Sequence, residues 1–190
     1  MEADTYRQFG NASLWLFIKG LISRRTFRVV ITMRLCQSIE NSCRPIRLML
    51  PFFKILHRIN CSQSAADFSW QTEIAAGLAL IHGWGMVVSP GARIGNNVTL
   101  FHGVTIGKRD RISREGLRLS EYPVLEDEVW VGPHAIIVGG ITIGRGSRIA
   151  GGAFVTESIP PYSIVSGNPA VIVKSNCVPD VSRQAPLFID

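Results

Sequence analysis

Cysteine is scarce in this sequence, and the four that occur, Cys36, Cys43, Cys61 and Cys177, form no CxxC pair. That pattern excludes a zinc ribbon or a thioredoxin-like redox motif, and the density is far below that of a small secreted disulfide scaffold. A reduced, cytoplasmic setting is the expectation. Long apolar runs are missing too. The stretch from Leu14 to Ile22 is short and interrupted by Lys19, whereas a spanning helix needs about 20 apolar residues. The amino terminus opens with Glu2 and Asp4 and carries no basic n-region, so no signal peptide is expected. No zinc spacing and no interleaving of aromatic with basic residues occurs, which sets nucleic-acid binding aside.

Acidic residues are rare in one segment. Residues 1–66 hold ten Lys/Arg against three Asp/Glu, a balance of +7, while the whole chain stands at +6. The remainder is therefore close to neutral. A basic amino-terminal third suits an anionic neighbour, either a membrane surface or another subunit, with a solvated helix face as the plainer alternative. Residues 12–59 read as two or three helices. Phe27, Val30, Ile31, Arg34, Leu35 and Ile39 give a partial stripe, and Ser42 and Pro45 open a third helix carrying Ile46, Leu48, Met49, Phe52, Phe53, Ile55, Leu56 and Ile59. Pro51 inside it predicts a kink or a break. That segment suits packing on its own domain or a sister subunit, or a place at a membrane interface.

What the chain has in abundance is a period of six. Leu125, Val131, Ile137, Ile143, Ile149 and Val155 are spaced by six, as are Val88, Ile94, Leu100 and Ile106, and before them Phe68, Ile74 and Leu80. A second small or apolar set runs four residues after many of these anchors: Leu78, Ala92, Val98, Val104, Val129, Ala135, Ile141, Ser147 and Ala153. Neither a helix, with its 3.6 spacing, nor an alternating strand sustains a period of six. A solenoid of short parallel strands, three to a coil with the anchor pointing inward, does. The chain therefore divides into a helical segment 1–66, a mainly β solenoid domain 67–175 and a tail 176–190. The polar, basic stretch 108–123 is too charged for the core and is expected to protrude as a loop.

Between Leu80 and Val88 the phase slips by two residues, at His82-Gly83-Trp84-Gly85-Met86. Three hexads plus those two make twenty, so His102 is expected beside His82 on the next coil, about 4.8 Å along the axis. Gly132, Pro133 and His134 fall one coil higher. Imidazole titrates near neutrality and can take a proton from an alcohol. His82, flanked by Gly83 and Gly85 and preceded at fifteen residues by Asp67 as a possible orienter, is the candidate base. A solvated or structurally bonded ring is the plainer reading of such a histidine.

Asp67-Phe68, the stretch from Ile81 to Val88, and Val104-Thr105-Ile106-Gly107 resemble the hexapeptide-repeat serine O-acetyltransferases and their capsular-polysaccharide relatives. Pro160-Pro161-Tyr162 and Gly167-Asn168-Pro169-Ala170 with Lys174 are similar to the last coil of acetyltransferases of this type. The resemblance implies a left-handed parallel β-helix forming a homotrimer, or paired trimers, with acetyl-CoA between adjacent subunits and no metal. It implies His82 as catalytic base and Asp67 as its partner. Gly107, Gly132, Ala150 and Gly151 would lie along the thioester and pantetheine, and Lys174 would meet the nucleotide phosphates. The serine enzymes hold the acceptor's ammonium with an Asp before the histidine, and this chain has Ile81 there. Where they carry an Arg-His pair for the carboxylate, this chain reads Ser120-Glu121-Tyr122-Pro123. A zwitterion needs both charges answered. The expectation is therefore acetyl transfer to a sugar hydroxyl of a capsular or surface polysaccharide, with Trp84, His102 and Tyr122 contacting the glycan. Serine O-acetylation is the alternative. A γ-carbonic-anhydrase-like metal site lacks an obvious third histidine at a matching spacing, and a non-catalytic scaffold would bind no acetyl-CoA.

Overall fold

The structure is a computed structural model that describes residues 1–186; positions 187–190 of the expected tail lie outside the described residues. The first 63 residues fold as α1 (Glu2–Phe9), α2 (Leu14–Ser23), α3 (Arg25–Glu40), α4 (Arg44–Arg47) and α5 (Leu50–Gln63). The interruption expected at Pro51 is a break rather than a kink: the third helix is divided into α4 and α5, and Pro51 sits in the first turn of α5, where its missing N–H has no intrahelical partner to lose. Helix α1 was not foreseen, because its inward residues, Asp4, Thr5 and Arg7, are polar and make no hydrophobic stripe.

The coils then follow at the six-residue step. The first is β1 (Asp67–Phe68), β2 (Glu73–Ile74) and β3 (Ala79–Ile81); the second is β4 (Val87–Val88), β5 (Arg93–Ile94) and β6 (Thr99–Phe101). In the third, β7 (Thr105–Gly107) leads into the hairpin β8 (Arg109–Ile112) and β9 (Arg118–Glu121), then β10 (Val124–Leu125) and β11 (Trp130–Val131). The expected loop 108–123 is thus an antiparallel ribbon, pairing Arg109 with Glu121 and Ile112 with Arg118. The fourth coil is β12 (Ile136–Val138), β13 (Thr142–Ile143) and β14 (Arg148–Ile149), and the fifth β15 (Phe154–Val155), a bridge at Ile159 and β16 (Ile164–Ser166). β17 (Val171–Lys174) turns back antiparallel on β16 and ends the stack.

Three parallel sheets result: β1-β4-β7-β12-β15, β2-β5-β10-β13, and β3-β6-β11-β14-β16 with β17 at its edge. They form the first, second and third sides of a prism. The register puts anchor on anchor, with Val88 against Ile106 and Ile106 against Ile137, and Leu100 against Val131 and Val131 against Ile149. Every anchor from Phe68 to Val155 is buried, and the small second set fills the corners between them. Each buried aliphatic side chain contributes roughly 1.5–3 kcal/mol. A strand of two or three residues is marginal alone, and stacking makes the column stable.

The helices close the lower end. Asp4 accepts from the N–H groups of Gly77 and Leu78 at 3.2 and 3.1 Å and from Arg34 Nε at 3.2 Å. Arg7 donates to Gly77 O, Asn97 O, Thr99 Oγ1 and Ser182 O. The tail runs back to this place, where Asn97 Nδ2 donates to Ala185 O and Asn97 Oδ1 accepts from Ala185 N.

Candidate active site

The corner between the third and first sides carries the slipped phase. His82 has φ +58°, as does His134, a left-handed conformation that lets the chain turn without a strand residue being lost. Because Ile81 is in register with Phe101, His102 does stand beside His82, with ring centroids 6.1 Å apart and nearly perpendicular. Above it His134 meets His102 edge to face at 4.9 Å. His134 thus lies one coil above His102, where the count with 108–123 looped out puts it, and its N–H donates to His102 O at 3.0 Å. Among the described residues no group of three or more His, Cys, Asp or Glu is arranged to hold a metal ion. The His102 Nδ1 is buried with no hydrogen-bond partner among the described residues, while His82 and His134 are exposed.

Asp67 is exposed at the start of β1, paired in register with Val87. Among the described residues no hydrogen bond or ion pair joins it to His82. Gly83 has a different reason than ligand approach: a Cβ there would lie 2.2 Å from Thr26 Cγ2, so the glycine admits the first turn of α3 against the corner. That packing brings Arg24, Arg25 and Arg28 alongside His82 around a cavity of about 380 Å³, whose wall also includes Gln8, Ser23 and Ile81. These arginines were not among the sequence candidates, since no period links a helix residue to a coil. Trp84 is 47% exposed, and the Arg25 guanidinium covers one face of its ring at 3.7 Å.

Higher on the same corner, Gly151 and Gly152 are exposed, and Gly152 has φ +70° with nothing near its absent side chain among the described residues, whereas Ala150 is half-buried and its N–H donates to Val165 O at 2.8 Å. Gly132 differs. It is buried, its N–H donates to Ile149 O at 2.8 Å, and a Cβ there would lie 2.7 Å from Gly151 N. Coil packing therefore accounts for Gly132. Two expected residues stand on another corner. Gly107 ends β7 at the junction of the first and second sides, and the Tyr122 ring lies over Gly91 there. One chain does not bring them to His82. Lys174, exposed, pairs in register with Ile164 at the end of the third side away from Gly151. A larger cavity, of about 520 Å³, lies along the second side, but its Arg93 is paired with Glu73 at 3.1 Å and its Arg145 with Glu128 at 2.8 Å.

A prism with this period and corner defines a class, and residues 122–157 match the family described as bacterial transferase hexapeptide (six repeats). The chain carries that repeat, and its coil is the left-handed parallel β-helix. Its relatives narrow the resemblance to serine acetyltransferases. The enzyme of Bacillus licheniformis is 39% identical over 95 residues, 50% of this chain and 42% of the relative; serine acetyltransferase 2 of Arabidopsis thaliana is 35% identical over 108 residues, 57% and 32% respectively. Among solved structures, the soybean serine acetyltransferase apoenzyme superimposes with TM-score 0.72 at 27% identity, covering 90% of this chain and 66% of that one. Serine acetyltransferase of Brucella abortus in complex with coenzyme A gives TM-score 0.72 at 25% identity, covering 93% and 66%. The alignments thus span about a third to two fifths of the curated relatives' length.

Proposed function

We propose that this chain is an acetyl-CoA-dependent O-acetyltransferase with His82 as general base. The observation that carries it is the exposed imidazole on the slipped corner, at the mouth of a cavity and below the bare backbone of Gly151 and Gly152. The serine acetyltransferase relatives, one of them solved in complex with coenzyme A, support it. His82 takes the proton of an acceptor hydroxyl as its oxygen bonds to the thioester carbonyl carbon. Backbone N–H groups hold the charge that develops on the carbonyl oxygen. The carbon–sulfur bond then breaks, and the leaving thiolate recovers the proton from the imidazolium. Asp67 is the positioning carboxylate in this reading, its hydrogen bond to the ring forming when substrates close the site. Ala150 and Gly151 are the proposed cofactor contacts on this corner, and Lys174, at the other end of the third side, is proposed only for the distal phosphates.

Serine is the acceptor these relatives favour, ahead of the polysaccharide hydroxyl expected from the sequence, for which no relative named here speaks. A sugar hydroxyl stands as the second reading on two observations: Ile81, not an acid, precedes His82, and Glu121 of the hairpin is occupied by Arg109 and Arg111 at 3.5 and 3.2 Å. Thiol release from acetyl-CoA, followed with L-serine and with a capsular oligosaccharide, separates the two. The His82→Ala variant is expected to lose about 10²–10⁴-fold in kcat with the productive acceptor; unchanged turnover removes His82 from the role.

Gly107 and Tyr122 stand a full side away from His82, so this reading joins them to it across copies, in a homotrimer. Among the described residues no helix is long and apolar enough to cross a membrane. Leu14, Trp15 and Ile22 of α2 and Phe52 and Ile55 of α5 are nonetheless exposed, in a segment rich in Arg and Lys. This supports a peripheral, cytoplasmic-face contact with anionic lipid. Co-sedimentation with phosphatidylserine vesicles but not with phosphatidylcholine vesicles is expected; equal recovery in both supernatants removes that contact.

A further inference from the structure

The cavity beside His82 has a charge that the proposed chemistry does not use. Arg24, Arg25 and Arg28 line it together, and among the described residues no carboxylate does. Among the described residues none of the three makes an ion pair, although nearby Arg34 is paired with Asp4 and Arg47 with Glu40. Arg25 is held over the Trp84 ring, which fixes its plane without neutralising it. Arg28 Nε is buried and lacks a hydrogen-bond partner among the described residues. A half-buried guanidinium with an unused donor is costly unless something accepts from it. Arg25 is also the first residue of α3, so the positive end of a 16-residue helix faces the same space.

We infer that the arginines form an anion site for the acceptor, which is a hydroxyl compound carrying a carboxylate or other acidic group. This rests on the acetyltransferase reading and adds the acceptor's charge to it. Guanidinium forks hold a carboxylate with two parallel hydrogen bonds, which fixes the hydroxyl of the same molecule at a set distance from His82. Among the described residues the cavity offers no acid to an ammonium, so this site favours net negative acceptors over a zwitterion such as serine, the acceptor the relatives suggest, and L-glycerate is expected to exceed L-serine in kcat/KM. Coenzyme A phosphates are the competing source of an anion. The pantetheine arm separates them from the thioester, so a phosphate seated here draws the thioester away from His82.

A matched acceptor series tests this: L-serine, L-glycerate (serine with hydroxyl for ammonium) and glycerol (no carboxylate), alongside D-glucuronate and D-glucose. The readout is thiol release at saturating acetyl-CoA. The acids are expected to exceed their neutral partners by roughly tenfold or more in kcat/KM, because a site built for a charged group rejects the analogue lacking it. Arg28→Gln and Arg25→Gln bring each ratio towards one and raise the acceptor KM, with the acetyl-CoA KM unchanged. Equal use of glycerol and glycerate overturns the inference, and so does a rise confined to the acetyl-CoA KM, which assigns the arginines to its phosphates. If no acceptor is turned over, the acetyltransferase reading fails alone, and the anion site is read without activity. Arginine Nε–H resonances are then expected to shift on titration with L-glycerate and not with glycerol at matched ionic strength; no difference between the two overturns the site.

Discussion

Gly103 shows how little freedom the histidine ladder leaves. Its φ is +67°, and a Cβ built there would lie 2.2 Å from His134 Nδ1. Gly103→Ala is therefore expected to push His134 off His102 and to cost about 1–3 kcal/mol in backbone strain, seen as a lower melting temperature and altered imidazole shifts for His134. A melt and shifts like those of the parent would show that the ring is not held there. His82 and His102 could be paired from the sequence because the coil length is an arithmetic fact once the two-residue slip is counted. His134 follows one coil higher once the hairpin between β7 and β10 is looped out of the count. The three arginines could not be placed in this way, because tertiary docking of α3 brings them in. The cysteines give a second test at this scale. Burial, then the Asp67 charge, pushes the Cys61 thiol up to about 12, and burial raises Cys36, while Cys43 is exposed. Thiolate is the reacting form, so iodoacetamide at neutral pH is expected to label Cys43 first; prior loss of Cys61 would contradict its burial.

The helices dock on the prism by two different kinds of contact, and this decided which were legible. Helix α3 buries Val29, Val30 and Met33 in the coil core, and only Val30 of these belongs to the partial stripe expected there, so apolar content announced the helix but not the face that docks. Helix α1 is held by polar groups, and hydropathy patterning is blind to those. Asp4, with a side chain 1% exposed, satisfies two backbone N–H groups and Arg34 at once. Asp4→Ala is expected to cost about 3–5 kcal/mol, since it strands a partly buried guanidinium together with the two amides; chemical denaturation measures it. His57 on α5 adds a pH dependence. It is buried between Thr32 Oγ1 at 3.0 Å and Phe68 O at 2.9 Å, and desolvation holds its pKa below the ordinary 6.5, against the raising effect of its backbone hydrogen bonds. Because the folded value is the lower one, the unfolded chain takes up the proton first on acidification. The stabilisation is whole above 6.5 and is lost as pH falls through the folded value. The thermal midpoint should fall on that limb, and a His57→Gln variant should flatten it; an unchanged slope would place the titration elsewhere.

At the scale of the whole molecule the candidate residues other than Lys174 fall on two separate corners of the prism. His82, His102, Ala150 and Gly151 share the corner between third and first sides, and Gly107 with Tyr122 belong to the next. The six-residue period reveals the prism but not this separation, because a period says how residues stack along the axis and nothing about which corners a neighbouring copy will face. If the site is completed across copies, each protomer gives one corner to one neighbour and the other corner to the other neighbour. Two inactive variants, His82→Ala and a chain with Gly107→Val, should then rescue one another. In a closed ring of three, every mixed ring contains one junction where an intact His82 corner meets an intact Gly107 corner. Random assembly from equal amounts makes three rings in four mixed, so roughly a quarter of the parent activity should return on co-expression. Separately purified variants mixed without exchange should stay inactive. No recovery in rings shown by mass to be mixed would mean that a single chain holds the whole site, and Gly107 and Tyr122 would then have no part in it.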